Sequence, residues 1–216
     1  RTTMNRQKPH GFLCSESHYE AALRIAQEGV VLLKNSILPS SPKGEGLLPL
    51  TAEKLQQLHF SSPNRGKEGV SILVVGENAI KMMTVGGGSS SLKVQREILP
   101  LDGIRDRFKD SEVDFARGYV GDTIQSYNGV TVGRSLYETR SAAELTAEAV
   151  EKARQADVVI FFGGLNKSDH QDCEGHDRKE FGLPYGQDQL IEALVKANPH
   201  LVYVNISGNA VAMPYL

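Results

Sequence analysis

Residues 157–191 read DVVIFFGGLNKSDHQDCEGHDRKEFGLPYGQDQLI, and this stretch decides the fold. It opens with Val158 to Phe162, an apolar run of β-branched and aromatic residues that reads as a buried strand. Gly163 and Gly164 follow. Then comes a polar loop dense in ionisable groups: Lys167, Asp169, His170, Asp172, Cys173, Glu174, His176, Asp177 and Arg178. Leu183-Pro184 closes the loop, and Leu190, Ile191 and Leu194 recur at helical spacing within a helix expected over 186–197. Strand, loop and helix in this order form the unit of an open α/β sheet, in which ligands bind at the loops leaving the carboxyl ends of strands. The densest cluster of proton-carrying groups therefore falls where such a fold normally works.

Toward the N-terminus, Ser141 with Glu144 three residues on makes a capping box, and Ala149, Val150 and Ala153 supply the apolar face of the helix it opens. Gly118 to Arg140 is polar and glycine-bearing and reads as an insertion or long loop. Val113 and Phe115 mark a strand, Leu101, Ile104 and Phe108 a short helix, and Ile72 to Val75 the first strand, ended by Gly76 and a loop from Glu77 to Ser91. Toward the C-terminus, Asn198-Pro199 stops the helix and Leu201 to Ile206 forms the last strand. This alternation predicts a mostly parallel sheet covered by helices over 70–216. Only about four strands can be counted, few for an open sheet, so the domain is expected to be incomplete at its C-terminal end.

Residues 1–69 have a different texture. Residues 1–18 show no steady period. From Tyr19 a helix is expected to bury Ala22, Ile25 and Ala26, and Gly29 to Asn35 is a run able to switch to a short strand. Residues 36–69 are rich in Ser, Pro, Gly and Lys, interrupted by LLPL at 47–50 and a short helix near 52–58. The whole of 1–69 reads as an interdomain strap wound around a neighbouring domain.

The formal net charge of −2 argues against nucleic acid or an anionic membrane surface as the main partner. The chain has neither a bilayer-length apolar run nor a signal peptide, but Arg1 in place of Met points to a cut or processed end. The two cysteines, Cys14 and Cys173, lie far apart and make no metal pattern, so the compartment stays open.

Several groups carry candidate chemistry. VGGGSSS at 85–91 offers unhindered N–H groups for a phosphate, yet it lacks the dinucleotide and P-loop patterns and reads rather as a flexible loop that lets another surface approach closely; no cofactor is expected. Glu77 and Asn78 could bind a ligand or order the turn after the first strand. His170, Cys173 and His176 fall at three-residue intervals, but a structural zinc site wants four ligands and no second pair stands nearby, so no metal is expected. Glu174 is the sharpest candidate. Near Asp177, in a partly closed site, it would suit a general acid; the alternative is a solvated loop carboxylate paired with Arg178.

The run Glu174-Gly175-His176-Asp177-Arg178, followed by Leu183-Pro184-Tyr185-Gly186-Gln187-Asp188-Gln189-Leu190-Ile191, resembles the E-G-x-D-R…L-P-x-x-Q-x-x-L-I signature of glycoside hydrolase family 3. Other stretches agree in consistent order over 19–216. Gly29 to Asn35 with Leu47-Leu48-Pro49-Leu50 resembles the family's V-L-L-K-N…L-L-P-L entry, and Val74 to Ala79 its G-x-N-A turn. Gly86 to Ser89 is similar to its glycine-serine loop, and Val204 to Gly208 to its V-x-x-S-G strand end.

The resemblance implies the αβα-sandwich C-terminal domain of a β-glucosidase- or β-xylosidase-like enzyme. It also implies a preceding (β/α)8-type barrel that carries the aspartate nucleophile in a Ser-Asp-Trp-like motif. This chain has no tryptophan and no such motif. By motif position the acid/base would be Glu174, with Asp172 as the fallback, because some subfamilies place this residue differently. Asp177 and Arg178 would anchor the loop. The expected reaction is retaining exo-hydrolysis of a β-linked oligosaccharide or aryl glycoside, with two carboxyls about 5–5.5 Å apart. A chain supplying one of them is expected to be inactive alone. The resemblance is compatible with a periplasmic or secreted location. Two rivals stand beside it: a non-catalytic carbohydrate-binding or structural module, and a flavodoxin-like nucleotide-binding domain using 85–91.

Overall fold

The computed structural model describes residues 11–35, 46–61, 69–84, 92, 94–121, 126–127, 130–131, 136–168, 170–174 and 176–215. Along the chain run α1 (Glu16–Glu28), α2 (Ala52–Ser61), β1 (Ser71–Val75), a 3-10 turn (Glu77–Ala79), α3 (Pro100–Arg107) and β2 (Glu112–Ala116). There follow β3 (Ser126–Tyr127), β4 (Val130–Thr131), α4 (Ala142–Gln155), β5 (Val158–Gly164), α5 (Gln187–Ala197) and β6 (Leu201–Ile206). Contacts divide the chain into Arg1–Asn35 and Ser36–Leu216.

In the first unit, the Ser15 N–H donates to His18 Nδ1 at 3.4 Å and the Ser15 carbonyl accepts from the His18 N–H at 3.0 Å at the start of α1. The expected burial of Ala22, Ile25 and Ala26 is not observed: no residue of α1 is buried, and Ile25 is 69% exposed. A lone helix has no surface within its own unit against which to bury an apolar face. Residues 30–35 likewise take no strand and join no sheet among the described residues.

The second unit is built on a four-stranded sheet in the order β2-β1-β5-β6, parallel at every pairing. Successive side chains of a strand point to opposite faces, and the core accordingly splits in two. Ile72 and Val74 of β1 join Ile160 and Phe162 of β5 on one face, packed with Leu55 and Leu58 of α2 and Leu101 of α3. Leu73 and Val75 join Val159 and Phe161 on the other, packed with Ala149 and Ala153 of α4 and Leu190, Ile191 and Leu194 of α5. This is the helix-covered parallel sheet expected from the alternation and the αβα sandwich that the resemblance implies. Every residue of β5 is buried because helices cover both of its faces. Each such Val, Ile or Phe side chain contributes about 1.5–3 kcal/mol.

Local chemistry sets the ends of these elements. The Ser141–Glu144 capping box forms as expected, with the Ser141 N–H donating to Glu144 Oε2 at 2.7 Å. Asn198, just past α5, donates through Nδ2 to the carbonyls of Ala153 (3.0 Å) and Ala156 (2.8 Å) and so satisfies the end of α4. On the α2 side, Asp157 accepts from the Ser71 N–H at 2.8 Å and lies 2.9 Å from His59 Nδ1, tying α2 to the sheet.

Just before α4, Arg140 grips Glu138 through Nε (3.0 Å) and Nη2 (2.8 Å). Those side-chain bonds first, then the N–H groups of Arg140 and Thr139, hold the Glu138 carboxyl down at about 2 against an ordinary 4.5. A depressed carboxylate contributes stability that is present above the unfolded value and lost as pH falls through the folded one. The stability difference between wild type and Glu138→Gln, read as denaturation midpoints, is therefore expected to hold above pH 4.5 and to vanish as pH falls toward about 2.

Candidate functional site

At the carboxyl edge of the sheet, the chain's own groups fill the crevice between β1 and β5. The buried Glu77 accepts from Arg117 Nη2 at 2.6 Å and from the Gly121 N–H at 2.8 Å, and Asn78 Nδ2 donates to the Leu165 carbonyl at 3.0 Å. The Gln187 side chain matches both polar groups of Gly164, accepting from its N–H and donating to its carbonyl at 2.8 Å each. Glu77 and Asn78 therefore order the turn. Removing one member of a buried ion pair strands the other. Glu77→Ala leaves Arg117, only 5% exposed, with no anion among the described residues closer than Glu138 at 3.9 Å, and is expected to cost about 3 kcal/mol in urea denaturation. The loop 85–91 lies outside the described residues.

The ionisable loop leaves β5 one turn further out. β5 runs to Gly164, two residues beyond the expected end, because Gly163 and Gly164 still pair with Asn205 and Ile206. Leu165 N–H then donates to the Ile206 carbonyl at 2.8 Å. Asn166 organises the start of the loop, with Oδ1 accepting from the Ser168 N–H at 2.8 Å and its carbonyl from the Asp172 N–H at 2.9 Å. Farther along, His170 Nδ1 lies 2.9 Å from the Asp177 carbonyl, and the His170 and His176 rings face each other at 5.1 Å.

A cleft of about 730 Å³ opens between this loop and the turn after β6, lined among others by Lys167, Asp172, Cys173, Asp177, Arg178 and Asn209. Glu174 is exposed, and its sequence neighbours Cys173 and His176 line the cleft. The alternative pairing with Arg178 is not made. The Arg178 guanidinium donates to Asn209 Oδ1 (2.7 Å) and to the carbonyls of Ala210 (2.5 Å), Glu180 (2.8 Å) and Gly182 (3.3 Å). Asp172 is also engaged: its carboxylate accepts from the Gly208 N–H and, at 2.7 Å, from Asn209 Nδ2. Asp177 is exposed. No group of three or more His, Cys, Asp or Glu able to hold a metal ion occurs among the described residues. Asp169 and Gly175 lie outside them. Gln187 and Asn209 escaped a reading of the residues by themselves, since their partners lie 23 and 31 to 37 positions away.

The fold and the cleft define an αβα sandwich with its ionisable groups gathered on the loop leaving a central strand. The chain belongs to glycoside hydrolase family 3: residues 30–216 match the Glycosyl hydrolase family 3 C-terminal domain. It is 46% identical to beta-glucosidase BoGH3A of Bacteroides ovatus, across 100% of this chain and 26% of that protein. It is 30% identical to an exo-alpha-(1->6)-L-arabinopyranosidase of Bifidobacterium longum, across 92% of this chain and 22% of that protein. Among solved structures, the beta-glucosidase of Bifidobacterium adolescentis superposes with a TM-score of 0.60 at 26% identity, covering 97% of this chain and 24% of the other. The chain thus spans about a quarter of the length of the curated relatives it matches.

Proposed function

We propose that this chain is the second domain of a retaining, exo-acting β-glycosidase and that Glu174 supplies the general acid/base to a (β/α)8-type barrel outside the chain. The observation that carries this reading is the placement of Glu174. Its side chain is exposed on the loop at the carboxyl edge of a parallel sheet, beside an open cleft, and the loop is bonded to the turn after β6 on both sides of it. Glu174 rather than Asp172 takes the role, because it is the exposed carboxylate at the motif position, whereas Asp172 is half-buried and bound to the turn after β6.

In the reaction, protonated Glu174 donates to the glycosidic oxygen as the barrel's aspartate attacks the anomeric carbon. As a carboxylate it then takes a proton from the water that releases the glycosyl-enzyme. The attacking group comes from the barrel, so this chain alone has no hydrolytic activity. A β-linked glucoside or xyloside is the proposed substrate class, and the beta-glucosidases among the relatives favour the glucoside. The test is Glu174→Gln in the full-length enzyme, assayed on aryl β-glycosides of graded leaving-group ability. A non-catalytic carbohydrate-binding module would keep its turnover.

A further inference from the structure

Glu174 sits on a loop, and a proton donor is useful only if its loop is held still. The two flanks of Glu174 converge on one side chain. Asn209 accepts from Arg178 Nη1 through Oδ1 at 2.7 Å and donates through Nδ2 to Asp172 Oδ1 at 2.7 Å. Both halves of its amide are thus used, one on each side of Glu174 in the sequence. The turn that carries Asn209 is fixed in its own right. It follows β6, whose Ile206 carbonyl accepts from Leu165, and just beyond it the Ala212 N–H donates to the Phe181 carbonyl at 2.9 Å. The loop also lies directly against the turn's backbone, because a Cβ placed on Gly208 would stand 3.2 Å from Asp172 Cγ.

From this geometry, and resting on the acid/base role of Glu174, we infer that Asn209 is a positioning residue that clasps both ends of the acid-bearing loop to the edge of the sheet. It touches neither sugar nor reacting atoms. It transmits the position of β6 to the loop through Asp172 on one side and Arg178 on the other. Asn209 itself is exposed, so its amide supports the loop rather than the core.

The experiment compares Asn209→Ala and Asn209→Asp in the full-length enzyme. The aspartate keeps the acceptor for Arg178 but sets an anionic oxygen against Asp172. Displacement of a catalytic group by about 1 Å can cost about 100-fold. Both variants are expected to lose about 10- to 100-fold in kcat/KM on aryl β-glycosides with poor leaving groups, and little on those with good ones. Amide exchange across 172–178 is expected to quicken. In a Glu174→Gln background, adding Asn209→Ala is expected to change kcat/KM by no more than about twofold, because the group it positions is gone.

An unchanged leaving-group dependence in Asn209→Ala, or an equal loss on every substrate, overturns the clasp. A variant that unfolds also overturns it, since Asn209 would then hold the domain rather than the loop. If Glu174→Gln itself keeps the wild-type leaving-group dependence, the acid assignment fails. Exchange across 172–178 then decides alone whether the clasp exists, with unchanged rates overturning it.

Discussion

Glu174→Gln in the full-length enzyme is expected to lower kcat/KM for alkyl and poorly activated aryl β-glycosides by about 100- to 10,000-fold, the range that general acid catalysis supplies. The amide keeps the shape of the side chain and removes the proton. A glycoside with a poor leaving group needs that proton as the bond to the anomeric carbon breaks; a dinitrophenyl glycoside does not, so its first step is expected to survive nearly intact. The second step still lacks its base, and glycosyl-enzyme should accumulate as a burst of phenolate followed by slow turnover. Azide, which attacks without surrendering a proton, should restore turnover on the activated substrate and give a β-glycosyl azide. Loss of the pH–rate limb that reports the acid should accompany these changes. Near-normal turnover of poor leaving groups would remove Glu174 from the reaction and favour the non-catalytic module.

The second large effect concerns the sheet. Gly76→Ala is expected to destabilise the fold by more than about 4 kcal/mol, seen as a collapse of the urea midpoint or failure to obtain folded protein. Two causes act together. Gly76 has φ +113°, a conformation that L side chains rarely adopt, and a Cβ there would lie 2.0 Å from the Phe162 carbonyl oxygen of β5. The obstacle is backbone in a buried parallel strand, so no rotamer change relieves it. Gly103 of α3 provides the contrast, because a Cβ there meets only Ile98 Cγ2, at 3.6 Å. Gly103→Ala is expected to stabilise by about 0.5–1 kcal/mol through the unfolded chain. Equal effects at the two glycines would show that the approach of β1 to β5 is looser than the register implies.

Much of this molecule was readable before any coordinate. Ser141 and Glu144 announce α4, the apolar run 158–162 announces β5, and Asn198-Pro199 marks the end of α5, because capping, burial and chain termination act within a few residues of one another. The motif around Glu174 was legible for the same reason, being contiguous. Where local pattern misled, a neighbour was required. The apolar positions of α1 have the period of a buried face, but Ile25 stays in solvent; Val30 to Asn35 has the composition of a strand, but joins no sheet among the described residues.

The sequence by itself therefore determined the order along the chain of the four sheet strands and their helices, the parallel class of that sheet, and the ionisable loop after β5, while β3 and β4 lie inside a stretch that reads as a long loop. Tertiary structure alone decided the spatial order β2-β1-β5-β6, the buried meeting of Glu77 with Arg117, and the double hold of Asn209 on Asp172 and Arg178. Those partners stand 31 to 40 residues apart. Side-chain periodicity reports which face of an element is apolar, and carries no information about which distant polar group completes a hydrogen bond once the faces have packed.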